Sequence, residues 1–232
     1  MSDTYQQDQK LLELFLEHIS ENKKGLFQEI IEHRNRHITV VLENLYQPHN
    51  AAAVLRSCDC FGVHDVHVIE NDNKYEPNKE IDMGSSKWLN INKYSDEENN
   101  TLNCINTLKS KGYKIVATTP HKDDCLIDEL PLDQPIALLF GTEATGLSDL
   151  ALEASDAFVK LPMYGFTESY NISVSVALAL FNLTERMRKD ESINWQLSDE
   201  EKVAIQLDWV KKVVKRSDKV ETILKQRMAQ NS

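Results

Sequence analysis

Cysteine, glycine and proline are scarce in this 232-residue chain, which holds four, seven and six of them. Four scattered cysteines (Cys58, Cys60, Cys104 and Cys125) are too few for a disulfide framework. Cys58 and Cys60 form a C-x-C pair, but no second pair or histidine couple lies near to complete a zinc site. They are expected to be reduced thiols packed as small apolar residues. No apolar run approaches the 18 residues of a membrane-spanning helix, and no internal repeat or low-complexity segment is visible. The opening MSDTYQQDQK lacks the charged-then-apolar pattern of a secretory signal, so the protein is expected to stay in the cytoplasm. Hydrophobic residues at 41% and charged residues at 27% are ordinary globular values, and they exclude wholesale disorder and fibrous architecture.

Positive charge is also short. Twenty-six basic residues stand against 37 acidic ones, a net charge of −11. Taken globally this opposes a nucleic-acid partner, which needs a positive footprint. Two local exceptions reopen the question. Between Trp209 and Ser232, seven basic residues (Lys211, Lys212, Lys215, Arg216, Lys219, Lys225, Arg227) outweigh Asp218 and Glu221. A second cluster, His33-Arg34-Asn35-Arg36-His37, precedes the first β-branched run.

Apolar periodicity predicts two short amphipathic helices before residue 32, over 5–20 and 26–31, broken near Asn22–Gly25. Strands are predicted at 38–42, 66–69, 88–94, 113–117, 136–140 and 157–161. Helices are predicted at 49–61, ending on Gly62, at 101–111, ending on Gly112, at 147–154 and at 171–189. Strands alternating with helices give an α/β fold with a mostly parallel sheet. The segment VSVALALFNL, Val174 to Leu183, is apolar on nearly every side and must be covered by its own domain plus something else, most economically a second subunit. Residues 196–232 add one or two charged helices beyond the core.

Three segments carry chemistry. Asn50-Ala-Ala-Ala-Val-Leu-Arg56 follows Glu43-Asn-Leu-Tyr-Gln-Pro-His49 out of a strand. Asn50 reads equally as a helix N-cap, and Arg56 read alone is a surface arginine. Six residues are about 600° of helix, so the two side chains converge only if Asn50 lies in a non-helical turn. Phe140-Gly-Thr-Glu-Ala-Thr-Gly146 ends a strong strand, as a ligand crevice of an open α/β sheet would. A plain strand-to-helix turn reads the same way. It is neither a G-x-G-x-x-G fingerprint nor a P-loop, which counts against a Rossmann oxidoreductase. Leu161-Pro-Met-Tyr-Gly-Phe-Thr-Glu-Ser-Tyr-Asn-Ile-Ser173 is another strand exit, where Ser169 or Asn171 serves at least as a helix cap.

Together, and in this order, the segments resemble the three motifs of the SpoU (TrmH) branch of the SPOUT RNA methyltransferases, over residues 38–190. Glu43–Asn50, Gly84-Ser-Ser-Lys-Trp88 and the helical extensions are most similar to members that methylate the ribose of guanosine 18 in the tRNA D-loop. Leu161 stands for the usual isoleucine and Tyr170 for the usual leucine. The resemblance implies a C-terminal trefoil knot, a methyltransferase domain at 38–190 and helical extensions at 1–37 and 191–232. It also implies a homodimer that buries the helix at 172–187.

It further implies S-adenosylmethionine held around Thr118, Gly141, Leu161 and Tyr170, with no metal. Asn50, Glu143, Ser169 and Asn171 would shape the site, and Arg56 would activate the ribose hydroxyl. Arginine's pKa above about 12 favours stabilisation of the developing alkoxide over proton abstraction. A 2′-hydroxyl acceptor requires RNA, not DNA. Arg34, Arg36, Lys211, Lys212, Lys215 and Arg216 are the expected phosphate contacts to tRNA, their plainer reading being a solvated helical face. The competing functions are the same chemistry on ribosomal RNA or a tRNA anticodon, and an inactive RNA-binding module.

Overall fold

The computed structural model describes residues 3–45, 47–74, 83–96, 98–120, 125–143 and 145–230. Tyr46 and Ala144 of the motif segments, and residues 75–78 of the polar stretch after the second strand, lie outside them. The chain forms two compact units, residues 35–195 and residues 1–34 with 196–232. The N- and C-terminal extensions therefore belong to one unit.

In the larger unit, β1 (Ile38–Glu43), β2 (Asp65–Ile69), β3 (Asn90–Tyr94), β4 (Lys114–Thr118), β5 (Cys125–Leu126), β6 (Ile136–Phe140) and β7 (Ala157–Lys160) form one sheet in the order β3-β2-β1-β6-β4-β7-β5. Every pairing is parallel. A parallel sheet is covered on both faces, so its central strands need apolar residues throughout rather than in alternation. β1 and β6 are buried along their whole length, with Leu42 opposite Phe140. One face packs Val40, Leu42 and Leu138 beneath α3 (Pro48–Cys60) and α6 (Ile172–Lys189). The other packs Val41, Ile115 and Leu139 beneath α4 (Asn100–Ser110) and α5 (Asp149–Glu153).

Both expected glycine stops are present. Gly62 and Gly112 have φ of 76° and 83°, the left-handed backbone that follows a helix end. The strand expected at 88–94 is shorter, because Gly84 (φ 81°) starts a 3₁₀ turn at Ser85–Trp88. β5 was not anticipated, since two residues are too few to show a period.

The smaller unit packs α1 (Asp3–Leu16), α2 (Glu21–Ile31), α7 (Asp199–Val213) and α8 (Ser217–Gln230) around Phe15, Phe27, Trp209 and Leu224. Phe27 meets Trp209 edge-on, ring centroids 5.5 Å apart. The helical break falls at residues 17–20 instead of 22–25, because Ser20 caps α2 by accepting from the Lys23 amide. Gly25 is carried inside that helix.

A titratable group is buried in the larger unit. His67 on β2 stacks on Tyr94 and shares a 3.0 Å hydrogen bond with its hydroxyl. Burial holds its imidazole at about 4, against the opposing pull of Asp65. The unfolded chain therefore binds a proton between about 4 and 6.5 that the native unit refuses. Stability should fall as pH drops through that window, by up to about 3 kcal/mol. Urea midpoints at pH 7 and pH 5 should differ less for His67→Phe than for the native protein.

Candidate active site

Three strands end side by side, and the turns beyond them enclose one cleft of about 390 Å³. Thr118 closes β4, Gly141 follows β6 and Leu161 follows β7. All three line the cleft, together with Tyr170, Glu143 and Ser169. The four expected cofactor residues thus share one cavity, at the carboxyl ends of the strands where ligands of open α/β sheets bind. Its walls join apolar side chains (Phe140, Leu147, Val159, Leu161) to polar ones, and its size is within the ~300–1,000 Å³ of small-ligand sites.

Backbone geometry shapes this cleft. Gly141–Glu143 and Thr145–Leu147 approach so that the Thr142 amide donates to the Gly146 carbonyl (3.0 Å) and the Gly146 amide donates back (2.9 Å). The turn brings the Gly146–Leu147 backbone against Gly141, where a β-carbon would lie 2.1 Å from the Gly146 carbonyl. Across the cleft, the Tyr170 hydroxyl donates to the Pro162 carbonyl at 3.0 Å and ties the ends of the 162–170 loop. Tyr170 therefore has a loop-closing bond that leucine lacks.

At the rim, Asn50 of α3, Glu143 of the 141–147 turn and Asn171 form a network from three distant parts of the chain. The Asn50 amide donates to Glu143 Oε1 (2.9 Å) and to Gln47 (3.1 Å). The Asn171 amide donates to Asn50 Oδ1 (3.1 Å) and to the same Glu143 oxygen. Asn171 Oδ1 in turn accepts from the Ser173 amide and hydroxyl, capping α6. For Asn171, capping and site construction are one role.

Asn50 is no N-cap. Gln47 holds that position, Pro48 opens α3, and Asn50 lies in the first helical turn, buried to 9% exposure. The condition for Asn50 and Arg56 to converge is therefore unmet within one chain. Arg56 is exposed and has no hydrogen bond or ion pair among the described residues. Ser169 lines the cleft without joining the rim network.

The basic residues divide. Arg34 is 2% exposed and lies over the Trp209 ring at 5.4 Å, which removes it as a surface phosphate contact. Arg36 is tied to Asp65 at 2.9 Å. Lys211 pairs with Glu221 (2.8 Å) and Lys212 with Asp208 (2.6 Å). Glu221 also holds Lys225 at 2.7 Å, and the two lysines keep its carboxyl below the usual range. Lys215, Arg216 and Lys219, where α7 passes into α8, are exposed and unpaired among the described residues. Burial and pairing thus shrink the footprint to that corner and to Arg227, which is likewise exposed and unpaired near the end of α8 among the described residues.

Glu43 was missed as a site residue. It ends β1, is 3% exposed, and accepts from the Thr101 hydroxyl (2.7 Å), the Ser148 amide (2.8 Å) and the Ser148 hydroxyl (2.7 Å). It thereby anchors the residue that follows the 141–147 turn. The available signal was a carboxylate at the end of an otherwise uncharged, β-branched run, which is costly to bury unless bonded.

The α6 helix buries Val176, Leu180, Leu183 and Met187 and leaves Val174, Leu178 and Phe181 exposed at 44%, 41% and 59%. These three occur at spacings of four and three, one stripe of the helix. The apolar excess in the sequence is this uncovered stripe.

Comparison with known proteins agrees with the geometry. Residues 37–181 match the SpoU rRNA methylase family. The tRNA (guanosine(18)-2′-O)-methyltransferase of Borreliella burgdorferi is 41% identical over 206 residues, covering 89% of this chain and 92% of the relative. The enzyme of the same name from Thermus thermophilus is 31% identical, covering 83% of this chain and 98% of its own. The crystal structure of the Aquifex aeolicus TrmH/SpoU tRNA modifying enzyme superposes with a TM-score of 0.74 at 29% identity, covering 84% of this chain and 98% of that one. With a family match across most of the chain and the motif residues other than Arg56 meeting around one cleft, the protein belongs to the SpoU methylase family.

Proposed function

We propose that this protein transfers a methyl group from S-adenosylmethionine to the ribose 2′-oxygen of guanosine 18 in the tRNA D-loop. The observation that carries the reading is the meeting of Thr118, Gly141, Leu161 and Tyr170 in one cleft, with the Asn50–Glu143–Asn171 network at its rim. The guanosine-18 specificity in the names of two well-covered relatives supports the choice of RNA.

The cleft fits the methyl donor chemically. Apolar walls at Leu147, Leu152 and Val159 suit a flat purine, and Thr118, Thr119, Gly141 and Thr142 line the cleft from the two turns. When bound, the donor supplies a sulfonium methyl. The 2′-oxygen would form a bond to that carbon, the carbon–sulfur bond would break with its electron pair going to sulfur, and the hydroxyl proton would pass to solvent water. The chain's main contribution is alignment of the two reactants. Asn50, Asn171 and Glu143 fix the rim, Ser169 faces the cleft, and the Arg56 guanidinium stabilises the developing alkoxide.

The exposed stripe of α6 is covered by a second copy, giving a homodimer. The close crossing at Gly141 is part of a C-terminal trefoil knot, one of the rare exceptions to unthreaded chains. The protein works in the cytoplasm, and among the described residues no helix is long and apolar enough to cross a membrane.

The test is transfer of labelled methyl to bulk tRNA from a strain lacking this protein, followed by nucleoside mapping. Label at guanosine 18 is expected. Label in ribosomal RNA or the anticodon would redirect the assignment, and absence of both transfer and donor binding would leave an inactive RNA-binding module.

Phosphate contact is assigned to Lys215, Arg216 and Lys219. Removing residues 209–232 would also remove buried Trp209 and Val210, so substitution is the cleaner test. Lys215→Gln, Arg216→Asn and Lys219→Gln together should weaken tRNA binding and lower the log–log salt slope by roughly 2–3. Asparagine suits position 216, where φ is 57°. An unchanged slope would remove this corner from the RNA interface.

A further inference from the structure

Beside the cofactor cleft lies a second, more open groove of about 610 Å³. It shares Pro120, Lys160, Leu161 and Met163 with the cleft, so the two are continuous. Its own walls add Cys125, Leu126, Pro162 and Tyr164 and, among the described residues, a single carboxylate, Glu129. We propose that this groove receives the base of the nucleotide being methylated, with Tyr164 as a stacking wall and Glu129 as the reader of a guanine edge. The proposal rests on the function proposed for the cleft and extends it to base selection.

Reach places the base here. A ribose whose 2′-oxygen faces a methyl donor in the cleft must lodge its base within one nucleotide's span, and the groove opens there. The walls have suitable chemistry, because unstacked bases of RNA are held on aromatic faces. Tyr164 is 97% exposed, and Phe166, two residues along the same loop, is fully exposed. Their loop neighbours Met163, Glu168 and Tyr170 line the cleft, so the loop serves the cleft on one side and offers aromatic faces on the other.

Electrostatics then select the base. Glu129 Oε2 accepts from the Leu126 amide at 3.1 Å, which fixes the carboxylate. Oε1 is unbonded among the described residues. An ionised carboxylate only accepts hydrogen bonds. Guanine offers N1–H and its exocyclic amino group side by side, inosine offers N1–H alone, and adenine presents an acceptor at N1. A site built around that acceptor therefore favours guanine, then inosine, and rejects adenine.

Full-length enzyme should be assayed on tRNA transcripts carrying guanosine, inosine or adenosine at the methylated position. The native protein is expected to rank them in that order by kcat/KM. Glu129→Gln should lower the guanosine-to-adenosine ratio roughly tenfold while S-adenosylmethionine affinity, read by calorimetry, is unchanged. Glu129→Asp should retain part of the preference. Tyr164→Ala should raise KM for tRNA roughly tenfold with kcat nearly constant, and Tyr164→Phe should restore it.

A native base preference in Glu129→Gln, with a native KM in Tyr164→Ala, would overturn the groove assignment alone. So would dissociation of the protein into monomers by Tyr164→Ala, which would make that ring a contact between copies. A native protein that methylates no tRNA guanosine would overturn the proposed function, and this assignment with it.

Discussion

Gly141→Ala is expected to unfold the cofactor turn and abolish S-adenosylmethionine binding. The added methyl group would lie 2.1 Å from the Gly146 carbonyl carbon and oxygen and 2.2 Å from the Leu147 nitrogen. All three are backbone atoms, so no side chain can swing aside to make room. Glycine is required here for lack of space, not for a left-handed backbone. The turn cannot open cheaply either, because the Thr142–Gly146 bonds close it and Glu43 holds Ser148 just beyond. Overpacking at a rigid site costs about 3 kcal/mol, equivalent to a fall of roughly 6–12 °C in the melting midpoint of a chain this size. Gly25→Ala is the matched control. Its β-carbon meets nothing within 4 Å and it lies inside α2, so stability should rise by about 1 kcal/mol through helix propensity. A native melting curve and native donor affinity in Gly141→Ala would show that this crossing does not shape the cleft.

The same contrast separates what was legible in the sequence from what was not. β1 and β6 announced themselves because strands buried on both faces need unbroken apolar runs, and Gly62 and Gly112 marked helix ends by the backbone they permit. Thr118, Gly141, Leu161 and Tyr170 came through the family resemblance, and sheet order brings their loops together. Side-chain roles that depend on partners far along the chain were harder to read. Nothing local reveals that Arg34 is covered by Trp209, or that Glu221 reaches Lys211 of the preceding helix. Asn50 was ambiguous for a related reason: an asparagine near a helix start serves as a cap or as a site residue. Only the position of Glu143, 93 residues away, shows it bonding outward from the first turn. Local chemistry is written in local sequence, whereas pairing and burial are set by the fold.

Arg56→Ala should lower kcat by roughly 10²–10³-fold, the cost of removing one donor aimed at a developing oxyanion, with donor affinity unchanged. Its position determines how that loss arises. Asn50 faces the rim of its own cleft, and six residues further along α3 the Arg56 side chain is turned about 120° away. Arg56 is exposed, and α6, which packs with α3 on one sheet face, bears the apolar stripe assigned to the dimer contact. In the dimer proposed above, a second copy seated on that stripe would bring Arg56 toward the partner's cleft, and the arginine would act across the interface. Mixed dimers distinguish the two arrangements. If Arg56 acts across the interface, a dimer of one Arg56→Ala subunit and one Glu143→Ala subunit gathers both defects into one site and leaves the other native. Activity should then recover to about half of the native value per dimer. If Arg56 acts within its own chain, every site carries one defect and no activity returns. The pH profile of a conservative variant isolates the guanidinium itself. Arg56→Lys keeps the charge but loses the planar fork, so it should retain part of the rate without a new titration near neutrality. A native rate and profile in that variant would remove any special role for the guanidinium.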